Sequence, residues 1–384
     1  MKKLLVIVVL SILVMGYPAW ARSDDGLNPA YEARAQLAIK LMTEQNGLKA
    51  HRWPFAKPEN WPEENVVWSD ESPRRLISLT LFEDDNPVYG TVDISGLTGL
   101  EELSILFAEP DEAAPHGLTA GPGSALKSLK IDGGGGQIKS ALNFENFTAL
   151  ERLSLSQHGL EKLDLSRNPK LRELDLAFNF NLKQIDLSAN AALEALSIYA
   201  GFMSNLNLSG NPALKAVSLE SCSLKSIELG DNTLPNMEGF AIDSCELPLS
   251  ALAGLAAVGG DRLFVGNQRY VLFHSLVFPT VEEAVVDLSS EALINGVATD
   301  FLILDDKLNI AHPSGYSLEN GLIKFKKRGR YTVAMCNQAV CGEKYCDFFK
   351  QITKFDQGHL PGLFTGHIDV GDVTDQKKIT PSTC

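Results

Sequence analysis

Cysteine is absent from the first 221 residues; the six present stand at 222, 245, 336, 341, 346 and 384. No two of them have the C-x2-C spacing of a structural zinc site. Positive charge is also scarce. The chain has 34 Lys and Arg against 48 Asp and Glu, a formal net charge of −14. Nucleic-acid binding needs a basic footprint to displace counterions, so this balance argues against it and against adhesion to anionic lipid. No apolar run reaches the ~20 residues of a bilayer span, so membrane insertion is not expected. Catalytic motifs are missing too: there is no H-E-x-x-H or G-x-S-x-G, and no Gly-Lys-Ser/Thr follows Gly133–Gly136. His51, His116, His158, His274, His312, His359 and His367 are scattered. The protein is not expected to be an enzyme, and no cofactor or metal is expected.

What is present is a folded composition, 45% hydrophobic and 21% charged over 384 residues, which suggests two or three domains. Residues 1–21, MKKLLVIVVLSILVMGYPAWA, join two lysines to a short apolar run and an Ala-Trp-Ala cleavage site. That is the form of a secretory signal peptide. The chain is therefore expected to be exported, to the periplasm or as a secreted or cell-surface protein. Disulfides are chemically possible there.

The most informative stretch runs from Leu150 to Leu247. It repeats LERLSLSQHGLEKLDLSRNPK, LRELDLAFNFNLKQIDLSANAA, LEALSIYAGFMSNLNLSGNPA and LKAVSLESCSLKSIELGDNTLPN before MEGFAIDSCEL. The units start at Leu150, Leu171, Leu193, Leu214 and Met237, so the period is 21, 22, 21 and 23 residues. This is the leucine-rich repeat pattern L-x-x-L-x-L-x-x-N/C-x-L, and several copies in series make a specific signal. Looser copies place earlier strands near residues 79–81, 103–105 and 129–131. With strands near 153, 174, 196, 217 and 240, the expectation is about eight turns over residues 76–262.

Before the repeats, residues 22–75 hold a helix pattern from Asn28-Pro29 to Asn46-Gly47, followed by Trp53, Trp61 and Trp68. A stack of turns leaves apolar surface at its first edge, so this segment is expected to be a helical, tryptophan-rich cap. An aromatic platform for carbohydrate is the alternative. After the repeats, residues 263–350 alternate in short strand-like runs with Asn-Gly and Pro-Ser-Gly turns, the pattern of an all-β sandwich. Residues 351–384 form a tail of little periodicity. The cap, the repeats and the closing ENGLIKFKKRGRYTVAMCN resemble internalin-like secreted bacterial proteins, in which leucine-rich repeats precede an Ig-like module. The resemblance covers about residues 28 to 340. It implies an α/β-type, mostly β leucine-rich repeat solenoid with a small helical cap and a C-terminal Ig-like domain. It also implies recognition of another molecule as the function. Leu360-Pro361 has no wall-sorting tail behind it, a departure from adhesins of this type.

In such repeats the leucines face in and alternate residues face out. The central outward row reads Thr80, Ser104, Lys130, Ser154, Asp175, Ser197, Ser218 and Ala241. Small polar groups dominate this face. The ligand-binding candidates are the bulky or charged residues Phe82, Arg152, Glu173, Asp175, Tyr199 and Glu220. Cys222 and Cys245 hold the N/C position of adjacent turns about 4.8 Å apart. Their parallel side chains suit two buried thiols better than a disulfide. Cys336, Cys341, Cys346 and Cys384 are expected to form two disulfides of open pairing. A second column, Asp164, Asp186, Asn207 and Glu228, is read either as solvated turn residues or as oxygen ligands for calcium.

The expected function is non-catalytic binding of a protein or glycan through the repeat face or its loops. A structural envelope spacer and an enzyme with its site in the C-terminal domain are the alternatives. The sequence leaves ligand identity and oligomeric state open.

Overall fold

The computed structural model describes residues 28–33, 35–37, 39, 57–61, 63–81, 91–107, 117–133, 142–157, 159–230, 238–243, 245, 247–248, 251, 263–265, 275–307, 309–341, 363–364 and 367–371. The expected signal segment, Trp53, Phe82, Cys346 and Cys384 lie outside them. The chain divides into two compact units, residues 1–202 with 207–214 and residues 203–206 with 215–384.

The first unit is a mostly-β solenoid. Strand β1 (Val66–Trp68) pairs antiparallel with β2 (Leu76–Leu81). The sheet then continues in parallel through β3 (Glu102–Leu106), β4 (Ser128–Asp132), β5 (Arg152–Ser156), β6 (Glu173–Ala177) and β7 (Ala195–Tyr199). Strands β2 to β7 are the six expected from the repeat in this part of the chain. The period of two along each strand sends the leucines inward: Leu79, Leu103, Leu129, Leu153, Leu174 and Leu196 are at most 2% exposed. Each such burial contributes roughly 1.5–3 kcal/mol, available only because the neighbouring turn covers it.

Behind the sheet, asparagines tie each turn to the one before. Asn168, Asn190 and Asn211, from the S-x-N turns, are completely buried. Asn190 Nδ2 donates to the carbonyls of Leu165 (3.1 Å) and Asn168 (2.9 Å). Asn211 Nδ2 donates to Leu187 and Asn190, both at 2.9 Å. Turn carbonyls that would otherwise be buried without a donor are thereby satisfied.

Helix is sparse among the described residues. Ahead of β1, residues 33, 35–37 and 39 are helical. Asn28-Pro29 opens a turn and not the helix. Arg74 explains the difference: its N–H donates to Ala30 and its carbonyl accepts from Glu32, which holds residues 30–32 extended. Trp61 is 3% exposed and packs on Trp68 at 5.2 Å, while Tyr31 meets Trp68 edge-on at 4.7 Å. Trp61 is thus spent on packing and presents no open ring to a sugar.

The second unit opens with three parallel strands, β8 (Ala216–Glu220), β9 (Gly239–Asp243) and β10 (Leu263–Val265). Strands β8 and β9 are those expected near 217 and 240; β10 extends the same ladder. There follow β11 (Ser275–Phe278), β12 (Val285–Asp287), β13 (Leu293–Ile294), β14 (Val297–Leu304), β15 (Tyr316–Glu319), β16 (Leu322–Phe325), β17 (Gly329–Asn337), β18 (Leu363–Phe364) and β19 (His367–Val370). One sheet has the order β11-β19-β17-β14-β13, with β18 also on β17, and a second has β12-β16-β15. The two Asn-Gly turns are hairpin loops with positive φ at both residues, Asn295-Gly296 and Asn320-Gly321. A Cβ on Gly321 would lie 2.4 Å from the Leu288 carbonyl oxygen, so only glycine fits. Residues after 351 contribute two of these strands. Arg330 clamps Asp369 of β19 through two hydrogen bonds of 2.7 and 3.1 Å.

Candidate functional site

The outward face of the first unit follows from strand register. Ser78, Glu102, Ser128, Arg152, Glu173 and Ala195 align in one row. Ser104, Lys130, Ser154, Asp175 and Ser197 align in the next, and Leu106, Asp132, Ser156, Ala177 and Tyr199 in the third. Arg152, Glu173 and Asp175 are exposed and Tyr199 is partly so. Two are already engaged. Arg152 reaches across the small Ser128 to Glu102, 3.6 Å away, and Asp175 accepts a 3.1 Å hydrogen bond from Ser154. Glu220 is exposed at the end of β8, in register with Asp243, within the second unit.

The chain leaves β5, β6 and β7 through a left-handed residue. Gln157, Phe178 and Ala200 in the first unit have φ of 57°, 55° and 52°. Each occupies the seventh position after the opening leucine of its turn. The N–H of Gln157 continues the ladder to the Ala177 carbonyl and that of Phe178 to the Tyr199 carbonyl, both at 2.9 Å. The left-handed bend then directs the eighth residue inward. There Asn179, 3% exposed, donates to the carbonyls of Leu155 (2.9 Å) and Ala177 (3.1 Å).

That bend also creates a feature missed by a reading confined to the strand residues. Phe178, Phe180 and Phe202 are 38%, 41% and 47% exposed. Together with Tyr199 they form one aromatic cluster. Phe178 meets Tyr199 at 4.8 Å and Phe180 at 6.1 Å, and Phe180 meets Phe202 at 5.4 Å. Lys183 lies 5.0 Å above the Phe202 ring and donates to the Phe180 carbonyl. The signal was in the sequence: LAFNFNL and IYAGFMS put aromatics at positions six, seven and nine of adjacent turns.

Residues just before the strands form another pattern that a reading of apolar period passes over. Glu101, Lys127, Glu151, Arg172 and Glu194 alternate in sign from turn to turn. Lys127 bonds Glu101 at 2.8 Å, and Arg172 pairs with Glu194. The Glu101 hydrogen bond and the charge of Glu151 raise the Lys127 pKa. An open cleft of about 520 Å³ lies along this row, lined by Glu151, Pro169, Lys170, Arg172, Ala192, Glu194 and Ala213.

The acidic column on the opposite side has a local task. Asp164, Asp186 and Asn207 each accept the N–H two residues on, from Ser166, Ser188 and Ser209, at 2.9–3.0 Å. The serine hydroxyl and N–H hold Asp164 and Asp186 below the usual carboxylate range. Glu228 is exposed at the end of a short strand, Ser226–Glu228. Among the described residues no group of three or more His, Cys, Asp or Glu side chains is arranged to hold a metal ion.

In the second unit Cys222 and Cys245 are buried thiols. Cys245 stands where Asn179 stands in its turn. Its Sγ contacts the Leu219 carbonyl at 3.7 Å and the Asp243 carbonyl at 3.5 Å, the same two places. The hydrogen bond with Cys222 and burial push its pKa far up. Cys336 is completely buried in β17 and Cys341 ends the short helix Gln338–Cys341.

No protein-family model and no curated protein sequence matches the chain. The solved structures similar to the chain include two from internalins. One is the functional domain of InlJ from Listeria monocytogenes, which includes a cysteine ladder: 15% identity, 76% of this chain and 57% of that one, TM-score 0.52. The other is Listeria monocytogenes InlP: 16% identity, 76% of this chain and 74% of that one, TM-score 0.38. The chain thus spans little more than half the length of the InlJ domain. No described helix is long and apolar enough to cross a membrane. What the likeness establishes, with the parallel leucine-lined sheet, is a leucine-rich repeat fold of the kind seen in the InlJ domain.

Proposed function

We propose that the protein is a non-catalytic, exported recognition protein whose repeat face holds a protein or glycan partner. One observation carries this reading. The rows through Arg152, Glu173, Asp175 and Tyr199 leave the sheet outward at fixed spacing while every alternate residue is committed to the core. A rigid sheet that presents such rows positions contacts without further ordering cost. On this reading residues 1–21 are a signal peptide that delivers the protein to the periplasm, the cell surface or the medium.

The two sheets of the second unit, with their Asn-Gly hairpins, support an Ig-like module, and two disulfides among Cys336, Cys341, Cys346 and Cys384 tie its tail. Cys222 and Cys245, at equivalent places in successive turns, are then two rungs of a cysteine ladder like that of the InlJ domain.

The test is crosslinked capture from envelope and host extracts by the chain from Arg22 onward, with identification by mass spectrometry. A single partner should be captured saturably, and Tyr199→Ala with Glu173→Lys should abolish its capture while the protein stays folded. Unchanged capture moves the site to the loops after Ile105 and Ile131 or to the second unit. Absence of saturable capture favours the spacer.

A further inference from the structure

We infer that the aromatic cluster of Phe178, Phe180, Tyr199 and Phe202 is a docking patch for a protein surface that presents an apolar side chain beside lysine or arginine. The inference rests on the recognition reading above and names the site and the chemistry of its partner. Three phenylalanines of one cluster, each more than a third exposed, leave apolar area in water. Contiguous exposed aromatics of this kind mark interaction surfaces, and aromatic anchors carry much of the affinity of protein interfaces.

Charge specifies the partner. Strand β6 leads into the patch through Glu173 and Asp175, both exposed. Asp175 is two residues from Ala177, about 7 Å along the strand, and Ala177 is in register with Tyr199. Of the cations near these carboxylates in the first unit, Lys130 stands two strands from Asp175, beyond Ser154, Arg152 is directed to Glu102, and Lys183 lies on Phe202 with its ammonium on the Phe180 carbonyl. The Asp175 carboxylate, on the strand that leads to the rings, is matched by a basic group on the partner, next to the apolar side chain that enters the cluster. A sugar fits less well. Stacking needs an open ring face, whereas Phe178 stands edge-on to Tyr199 and Lys183 takes one face of Phe202.

The experiment is fluorescence anisotropy of labelled peptides against the full chain. The probes are a basic peptide alternating arginine with leucine and phenylalanine, an acidic peptide with glutamate for arginine, and soluble oligosaccharides as competitors. The basic peptide should bind saturably. Phe178→Asn combined with Phe202→Ser, which leaves the net charge unchanged, should weaken it about tenfold or more. Asp175→Lys should weaken it and flatten its salt dependence. Circular dichroism and melting establish that each variant is folded. Equal binding of the acidic peptide, displacement by a saccharide, or indifference of the basic peptide to the phenylalanine variants overturns the inference. A partner captured by crosslinking whose contacts avoid the patch would sink this inference and leave the recognition reading standing. Peptide binding at the patch with no saturable capture of any protein would do the reverse.

Discussion

The ring of Phe178 meets the ring of Tyr199 edge-on at 4.8 Å, from a residue held at φ 55°. The left-handed conformation costs a residue with a Cβ about 1–2 kcal/mol, and asparagine tolerates it best after glycine. Each ring contact returns about 0.5–1.5 kcal/mol. Replacing Phe178 by Asn gives up the contacts and relieves the strain, so the melting temperature should change little. Phe178→Ala keeps the strain and loses the contacts, and should be less stable than Phe178→Asn by roughly 1 kcal/mol. Thermal melts of the pair check this; equal stability would mean that the bend carries no strain.

The repeat was legible because its period is long, its leucines are strict and each one is buried. The register of the outward rows followed from the same period. The cluster escaped because Phe178, Phe180 and Phe202 lie past the strand ends, where the period of two no longer says which way a side chain points. Asn190 escaped for a related reason: an asparagine in an S-x-N turn reads as a solvated loop residue until the preceding turn supplies carbonyls for it. Conversely Asn28-Pro29 had the composition of a helix start, but tertiary pairing with Arg74 took its backbone elsewhere.

The alternating row Glu101, Lys127, Glu151, Arg172, Glu194 makes a second prediction. Pairs this exposed contribute only about 0–1 kcal/mol each. Reversing one sign, however, stacks three like charges, as Arg172→Glu does between Glu151 and Glu194. That variant should melt a few degrees lower at low salt and recover most of the difference in high salt, where exposed charges are screened. Adding Glu194→Arg should restore part of the loss. A variant loss that salt does not change would show that packing of the Arg172 stem, and not charge, is responsible.

Cys222 and Cys245 should be chemically silent in the folded protein. Burial and their mutual hydrogen bond keep the Cys245 proton on sulfur, and only thiolate reacts with alkylating reagents. Iodoacetamide at mildly alkaline pH should leave both unmodified in the native chain and modify both once the chain is unfolded without reductant. Labelling of either in the native state would contradict the burial. Protection that survives unfolding would mean that the two are joined.

Asp164 and Asp186 give the acid limb of stability. Hydrogen bonds from Ser166 and Ser188 lower both pKa values in the folded state relative to 3.8. Their contribution is therefore fully present above that value and is lost as pH falls through the folded-state pKa. Asparagine offers the same turn an acceptor that does not titrate, as Asn207 already does in the next turn. Asp164→Asn with Asp186→Asn should match the parent near neutral pH and lose less melting temperature below pH 3.8. Calcium titration of the same pair separates the two readings of the column. A rise in melting temperature that the variant abolishes would mean that these carboxylates hold a cation. The turn assignment requires the opposite, because each carboxylate then has its partners within two residues of chain and only protons compete for it.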